Sequence, residues 1–220
     1  MQRTKNVIMR KDIYLDNMDI VLLPDDIFTI EGYLPVNIDD TNLIDEYIQN
    51  SMSELDEGDS INLYINYGFT RALVSTLNLI FQKKLDCTIQ IYNEKIYEYV
   101  NFGKLQPRSR AHTLDTSAEP VSFQLINRPF KKQLEETIHP VFSGEKIDEA
   151  CLFDSEYFTK TAYDSMKPYA GRKVYIYVTG LKQALIACVN ASRELDIQIV
   201  FKHYNPDDES YEHEQKLYFD

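Results

Sequence analysis

The chain contains one unit twice, the second copy 112 residues after the first. Residues 63–78 (LYINYGFTRALVSTLN) align with residues 175–190 (YIYVTGLKQALIACVN). Around this stretch the single offset gives seven identical pairs, where chance supplies roughly two; they are Gly68/Gly180, Ala72/Ala184, Leu73/Leu185, Asn78/Asn190, Tyr92/Tyr204, Asn93/Asn205 and Tyr99/Tyr211. A repeat of this length predicts two like domains. Like domains in one chain commonly pack about a pseudo-two-fold axis, as a symmetric dimer does.

Each copy has the pattern strand, helix, strand, hairpin. The first copy has an apolar run at 61–66, helical spacing of apolar residues from Gly68 onward, and strand character at 87–92 and 95–100. The second copy repeats this order, with strands predicted at 173–178, 196–203 and 210–219 and a helix at 180–194. Upstream we expect helices at about 41–55 and, capped by Ser155, at 155–166, and additional strands at 19–23 and 121–126.

Strands that alternate with helices predict an α/β fold of two tandem Rossmann-like units with mainly parallel sheets, related by the pseudo-two-fold axis. The stretch 101–120 has no period and is rich in Pro, Ser, Thr and Arg, as linkers are. We therefore expect a first unit at 1–103, a linker at 104–119 and a second unit at 120–220.

Composition excludes several classes of function. The 220 residues are 44% apolar and 26% charged, as in ordinary globular proteins, and no apolar run is long enough to span a bilayer. A net charge of -12 disfavours binding to long nucleic acids. Three cysteines without a CxxC pair fit a reducing compartment, so a cytoplasmic protein is expected.

Motif patterns predict neither a cofactor nor a metal site. The sequence has no GxGxxG, Walker or GxSxG motif, which argues against dinucleotide enzymes, P-loop enzymes and serine hydrolases. His203 and His213 fall on adjoining predicted strands, but no third ligand accompanies them at a metal-binding spacing.

The turn between the central strand and the helix is the predicted site in both copies, because ligands of α/β sheets bind beyond the carboxyl ends of strands. It reads NYGFTR at 66–71 and VTGLKQ at 178–183. Each turn has a glycine, a nearby hydroxyl and a cation in the first helical turn, beside helix N–H groups that favour phosphate. Alternatively, the glycines are structural and Arg71 and Lys182 are solvated surface charges.

The turns resemble those of the CARF family, the nucleotide-sensing domains of type III CRISPR systems, and of the related ring nucleases. That family's turn reads Asn-x-Thr-Gly-Gly-Thr-Lys. The first copy matches at Gly68, Thr70 and Arg71, but it has Tyr67 for the first Thr and Phe69 for the second Gly. The second copy matches at Thr179 and Gly180, but it has Lys182 and Gln183 where Thr and Lys are usual.

The resemblance implies that two CARF-like halves bind a cyclic oligoadenylate across their shared axis, in a monomer with pseudo-dimeric halves or in a homodimer. Some relatives cleave the ring without a metal, by attack of a ribose 2′-hydroxyl on the adjacent phosphate, so an enzymatic activity is left open. The implied catalytic residues are Thr70, Arg71, Thr179 and Lys182. The implied ligand-binding residues are Asn66, Tyr67, Gly68, Phe69, Gly180, Leu181 and Gln183. The alternatives are a non-catalytic nucleotide sponge and an acidic protein–protein interaction module.

Overall fold

The computed structural model describes residues 4–10, 15, 17–23, 41–66, 70–106, 115, 117–127, 138–142, 147, 151–205 and 209–218. The chain divides into two compact units, Met1–Leu105 and Gln106–Asp220. The predicted ligand-binding residues Tyr67, Gly68 and Phe69 lie outside the described residues.

The described part of the first unit is a five-stranded sheet with two helices. Its elements in chain order are β1 (Lys5–Arg10), β2 (Ile20–Leu23), α1 (Thr41–Ser51), β3 (Ser60–Ile65), α2 (Thr70–Gln82), β4 (Asp86–Asn93) and β5 (Glu98–Lys104). The strand order is β2-β1-β3-β4-β5. All neighbours are parallel except β4 and β5, which form an antiparallel hairpin.

The described part of the second unit has the same architecture. Its elements are β6 (Val121–Ile126), β7 (His139–Phe142), α3 (Ser155–Met166), a short 3-10 turn (Lys167–Tyr169), β8 (Lys173–Tyr177), α4 (Lys182–Leu195), β9 (Gln198–Asn205) and β10 (Ser210–Lys216). The strand order is β10-β9-β8-β6-β7, with an antiparallel pair only at β9 and β10. Strand for strand, this is the order of the first sheet.

In each unit the two helices contact one another and cover one face of the sheet. Parallel crossovers are right-handed, so two successive crossovers that advance in the same direction place their helices on the same face. Along β3 the buried residues Ile61, Leu63 and Ile65 alternate with half-buried Asn62 and Tyr64. The alternation gives each sheet a second face, opposite the described helices, which we call the distal face.

The predicted α/β fold with two mainly parallel sheets is confirmed, while the predicted domain limits and linker remain predictions. The predicted hairpin partner of β4 is confirmed, but its bounds are not: β5 begins at Glu98, after a turn at 94–97, and runs to Lys104 rather than over 95–100. Strands β1 and β7 were not predicted, because each has only a short apolar core beside charged residues or a proline. The cap of α3 is Asp154 rather than Ser155.

The strand register shows that the two units do not align at a single offset. Leu63 pairs with Ile89, and Ile176 pairs with Phe201. Ile89 and Phe201 are 112 residues apart, whereas Leu63 and Ile176 are 113 apart. A slip of one residue exchanges the two faces of a strand. The sequence alignment therefore matches buried Leu63 with Tyr175, which lies on the opposite face of its strand.

Candidate functional site

Asn66 follows the carboxyl end of β3 and binds the end of the neighbouring strand. Its side chain is 3% exposed, and its Nδ2 donates to the carbonyl oxygen of Arg10, the last residue of β1, at 2.8 Å. Its Oδ1 is buried and has no hydrogen-bond partner among the described residues. Because parallel strands end at one edge of a sheet, this hydrogen bond places Asn66 at the edge where α2 begins.

Thr179 makes the corresponding contact in the second unit. Its Oγ1 donates to the carbonyl oxygen of Ile126, the last residue of β6, at 3.0 Å, and accepts from the N–H of Ile126 at 3.3 Å. The 113-residue offset of the central strands makes Thr179 the equivalent of Asn66. The alignment at 112 had matched Asn66 with Val178, so sequence reasoning missed this equivalence.

The first turn of α2 begins with Thr70 and Arg71, both half-buried. Residues 67–69 separate this helix from Asn66, whereas only residues 180–181 separate α4 from Thr179. The two turns differ in length by one residue, which accounts for the change of offset between strand and helix.

The first turn of α4 has no side-chain cap. Its N-cap is Leu181, which makes no capping hydrogen bond, so the amide groups of the first turn need another acceptor. Gly180 and Lys182 are half-buried here. Gln183 is only 5% exposed, and its Oε1 has no hydrogen-bond partner among the described residues. This helix end can accept an anion at its N–H groups.

The first turns of α2 and α4 differ in charge from the first turn of α3. The first turn of α3 carries Glu156 and is capped by Asp154, whose Oδ1 accepts from the Tyr157 N–H at 3.0 Å. Neither α2 nor α4 has an acidic residue in its first turn, and each has a cation there instead, Arg71 or Lys182. A cation at a helix N-terminus opposes the helix dipole. A bound anion would interact favourably with both the cation and the helix dipole.

Arg10 is a residue at this edge that sequence reasoning missed. It ends β1, and its carbonyl oxygen accepts the Asn66 hydrogen bond, so its backbone lies beside the exit of β3. No sequence signal identified it, because β1 itself was not predicted. Arg10 and Arg71 are thus both at the carboxyl edge of the first sheet.

The histidine pair lies where the sequence placed it. His203 and His213 face each other across β9 and β10, and His203 is 4% exposed. Over the described part of the chain, no group of three or more His, Cys, Asp or Glu side chains could hold a metal ion. Nor does any helix there have the length and apolar character needed to cross a membrane.

Comparison with known proteins finds similar structures only. No protein-family model and no curated protein matches the chain. A Cap4 SAVED/CARF-domain containing receptor of Moraxella osloensis is 11% identical with a TM-score of 0.46, over 98% of this chain and 49% of that one. The Acinetobacter baumannii Cap4 receptor is 12% identical with a TM-score of 0.43, over 98% and 49%.

A further structure of the Acinetobacter baumannii receptor, with the cyclic trinucleotide 2'3'3'-cAAA, is 10% identical with a TM-score of 0.40, over 93% of this chain and 50% of that one. The chain thus spans about half the length of these receptors.

Proposed function

We propose that this chain binds a cyclic oligoadenylate through the strand-to-helix turns at the carboxyl edges of its two sheets. The observation that carries the proposal is the first turn of α4, where an uncapped helix N-terminus has a cation and no acidic residue. The buried Gln183 Oε1, an acceptor, can bind an O–H or N–H of the same ligand. Phosphate oxygens accept hydrogen bonds from such N–H groups, and the helix dipole favours their charge.

The recurrence of this arrangement supports a ligand with repeated phosphates. Helix α2, which follows the central strand of the first sheet, also lacks acidic residues in its first turn and carries Arg71 there. In both units an amide or hydroxyl side chain, Asn66 or Thr179, joins the ends of two adjacent strands at the carboxyl edge of the sheet. These hydrogen bonds fix the strand ends from which the turns start, and such preorganisation lowers the cost of binding.

A more specific hypothesis is that the chain also cleaves the ring. The candidate catalytic residues are then Thr70, Arg71, Thr179 and Lys182. Metal-independent cleavage by a ribose hydroxyl requires alignment of the ribose with the phosphate and cations near the developing charge. Arg71 and Lys182 have the charge for that role. Because the Thr179 hydroxyl binds the backbone of Ile126, we propose that Thr179 acts by positioning the turn.

Lys182→Glu tests the site with little expected effect on the fold. A carboxylate in the first turn interacts favourably with the helix dipole by about 0.3–1 kcal/mol, which offsets the loss of the contacts that Lys182 makes, so the stability should stay within about 1 kcal/mol of the wild type. It should bind cyclic tetra-adenylate at least tenfold more weakly, because the introduced carboxylate repels the phosphate of the ligand. Isothermal titration calorimetry measures the Kd, and thermal unfolding measures the stability.

Lys160→Glu is the matched control, since it makes the same charge change on an exposed part of α3. It replaces a surface ion pair with Asp164 at 3.6 Å by like-charge pairs at i,i+4, which cost about 0.2–0.5 kcal/mol each. The trinucleotide 2'3'3'-cAAA, present in one of the similar structures, is titrated in parallel. Saturable binding of neither ring at micromolar protein, or equal Kd values for Lys182→Glu and Lys160→Glu, overturns the proposal.

Two further readouts come from the same samples. The stoichiometry tests the expectation from the duplication that one ring serves both repeats. Chromatography of the incubated nucleotide separates binding from cleavage: linear product supports a ring nuclease, and an intact ring at full occupancy supports a sponge.

A further inference from the structure

One buried polar side chain of α4, in its first turn, differs from the others in its hydrogen bonding. Gln183 is 5% exposed, and its Oε1 has no hydrogen-bond partner among the described residues. The other buried polar side chains of the helix each bind a backbone group: Asn190 accepts from the Gln106 N–H at 3.0 Å, Ser192 donates to the carbonyl oxygen of Val189 at 2.7 Å, and Arg193 donates to that of Tyr218 at 3.3 Å. A buried acceptor without a donor is costly, so it points to a donor that binds there.

The Gln183 side chain leans toward the beginning of the helix. Cα–Cβ bonds in an α-helix tilt toward its N-terminus, so a side chain in the first turn lies over the residues that precede the helix. Here those residues are the turn at 179–181, which leaves the helix end without a side-chain cap. The terminal amide of a glutamine rotates in a broad energy minimum, and at Oε1 Gln183 has no described hydrogen bond to lose. The oxygen can therefore face a ligand held at this turn.

The Gln183 oxygen requires a donor group on the ligand. Phosphate oxygens are acceptors, so they cannot pair with it. In a cyclic oligoadenylate the ribose hydroxyls and the 6-amino group of adenine can donate. A glutamine amide matches adenine at two atoms, because its oxygen accepts from the 6-amino group while its nitrogen donates to N7. A purine with a 6-keto group instead places an acceptor against the amide oxygen, and that hydrogen bond is lost.

We propose that Gln183 selects adenine over 6-keto purines in the bound ring, a role that rests on the proposed function. Gln183 is the second residue of α4, and the second residue of α2 is Arg71. The Arg71 guanidinium has donors and no acceptor, so it can pair with a phosphate but cannot accept from the 6-amino group. The first turn of α2 therefore contributes charge, whereas the first turn of α4 contributes the choice of base.

Cyclic tetra-inosinate tests this choice, because hypoxanthine has a 6-keto group in place of the 6-amino group of adenine and retains N7. By isothermal titration calorimetry the wild type should bind cyclic tetra-adenylate about tenfold to a hundredfold more tightly than cyclic tetra-inosinate. Gln183→Met keeps the length of the side chain and removes its amide. This variant should bind the adenylate ring more weakly, and its preference for adenine should disappear. Because it breaks no described hydrogen bond at Oε1, thermal unfolding should show it folded.

Gln124→Met is the matched control. Gln124 is also 5% exposed, and its Oε1 has no partner among the described residues. Its neighbour along β6, Phe123, contacts the Tyr169 ring, which follows α3, at a centroid separation of 5.2 Å. Successive residues of a strand point to opposite faces, so Gln124 lies on the distal face, opposite the helices. Gln124→Met should retain the preference for adenine. Arg71→Met should weaken the binding of both rings to a similar degree.

The outcomes separate this role from the proposed function. Binding of neither ring by the wild type overturns both. Binding of the adenylate ring with a preference over inosinate that Gln183→Met does not reduce overturns only the role of Gln183. An equal loss of affinity for both rings in Gln183→Met also overturns it, since the amide would then bind a ribose hydroxyl that both rings share. So does a loss of the preference in Gln124→Met, which would assign the choice of base to the distal face.

Discussion

Replacement of Thr179 by Val tests whether the hydroxyl joins two strand ends. Valine keeps the shape of the side chain but removes the two hydrogen bonds to Ile126, at 3.0 and 3.3 Å. Each such bond contributes about 0.5–1.5 kcal/mol net, and Thr179 is half-buried, so water replaces part of the loss. We expect the free energy of unfolding of the second unit to fall by about 1–2 kcal/mol. In a unit of this size that lowers its Tm by roughly 4–8 °C.

Urea unfolding followed by far-UV circular dichroism measures this change, since the chain has no tryptophan to report by fluorescence. Thr159→Val is the control, because Thr159 is half-buried on α3 and its hydroxyl makes no side-chain hydrogen bond among the described residues. Thr179→Asn introduces the residue that the first unit has at this position and should cost less than Thr179→Val. Equal stability of the Thr179→Val and Thr159→Val variants would refute the structural role of the hydroxyl.

Two further predictions concern local groups. Burial raises the pKa of the Cys87 and Cys188 thiols far above the ordinary thiol range. A thiol reagent at pH 8 should therefore modify half-buried Cys151 first and leave the other two intact until urea is added. Early reaction of either buried thiol in the native protein would contradict this. Asp154→Ala removes the cap of α3 and should lower the free energy of unfolding by about 1 kcal/mol in the same urea assay; an unchanged midpoint would show that the cap contributes nothing.

The sequence predicted those elements in which local periodicity and burial agree. Two patterns can be recognised in the sequence itself: the apolar alternation of Ile61, Leu63 and Ile65, and the apolar face of α2. Strands β1 and β7 are not, because their short apolar cores gain stability from pairing with β3 or with β6. Such pairing depends on residues far away in the chain, and no local pattern records it.

At the candidate site too, local sequence patterns did not reveal contacts between residues far apart in the chain. Gly180 and Lys182 were found because they flank a strong helical pattern. The equivalence of Asn66 and Thr179 was missed, because it depends on a one-residue difference in turn length that an ungapped alignment conceals. The pairing of Asn66 with Arg10, across 56 residues of sequence, likewise required the register of two parallel strands.

The identities of the repeat mark positions with structural roles more than positions that define a ligand. The Asn190 Oδ1 accepts the Gln106 N–H at 3.0 Å, and Tyr99 and Tyr211 each join two rings across their sheets. Some of the residues that differ between the copies change the charge of the surface, as Gln90 against Lys202 does. Duplication preserves the contacts that each unit needs in order to fold, whereas either copy can change its surface once the other retains the original function. The two units should therefore differ most in ligand binding.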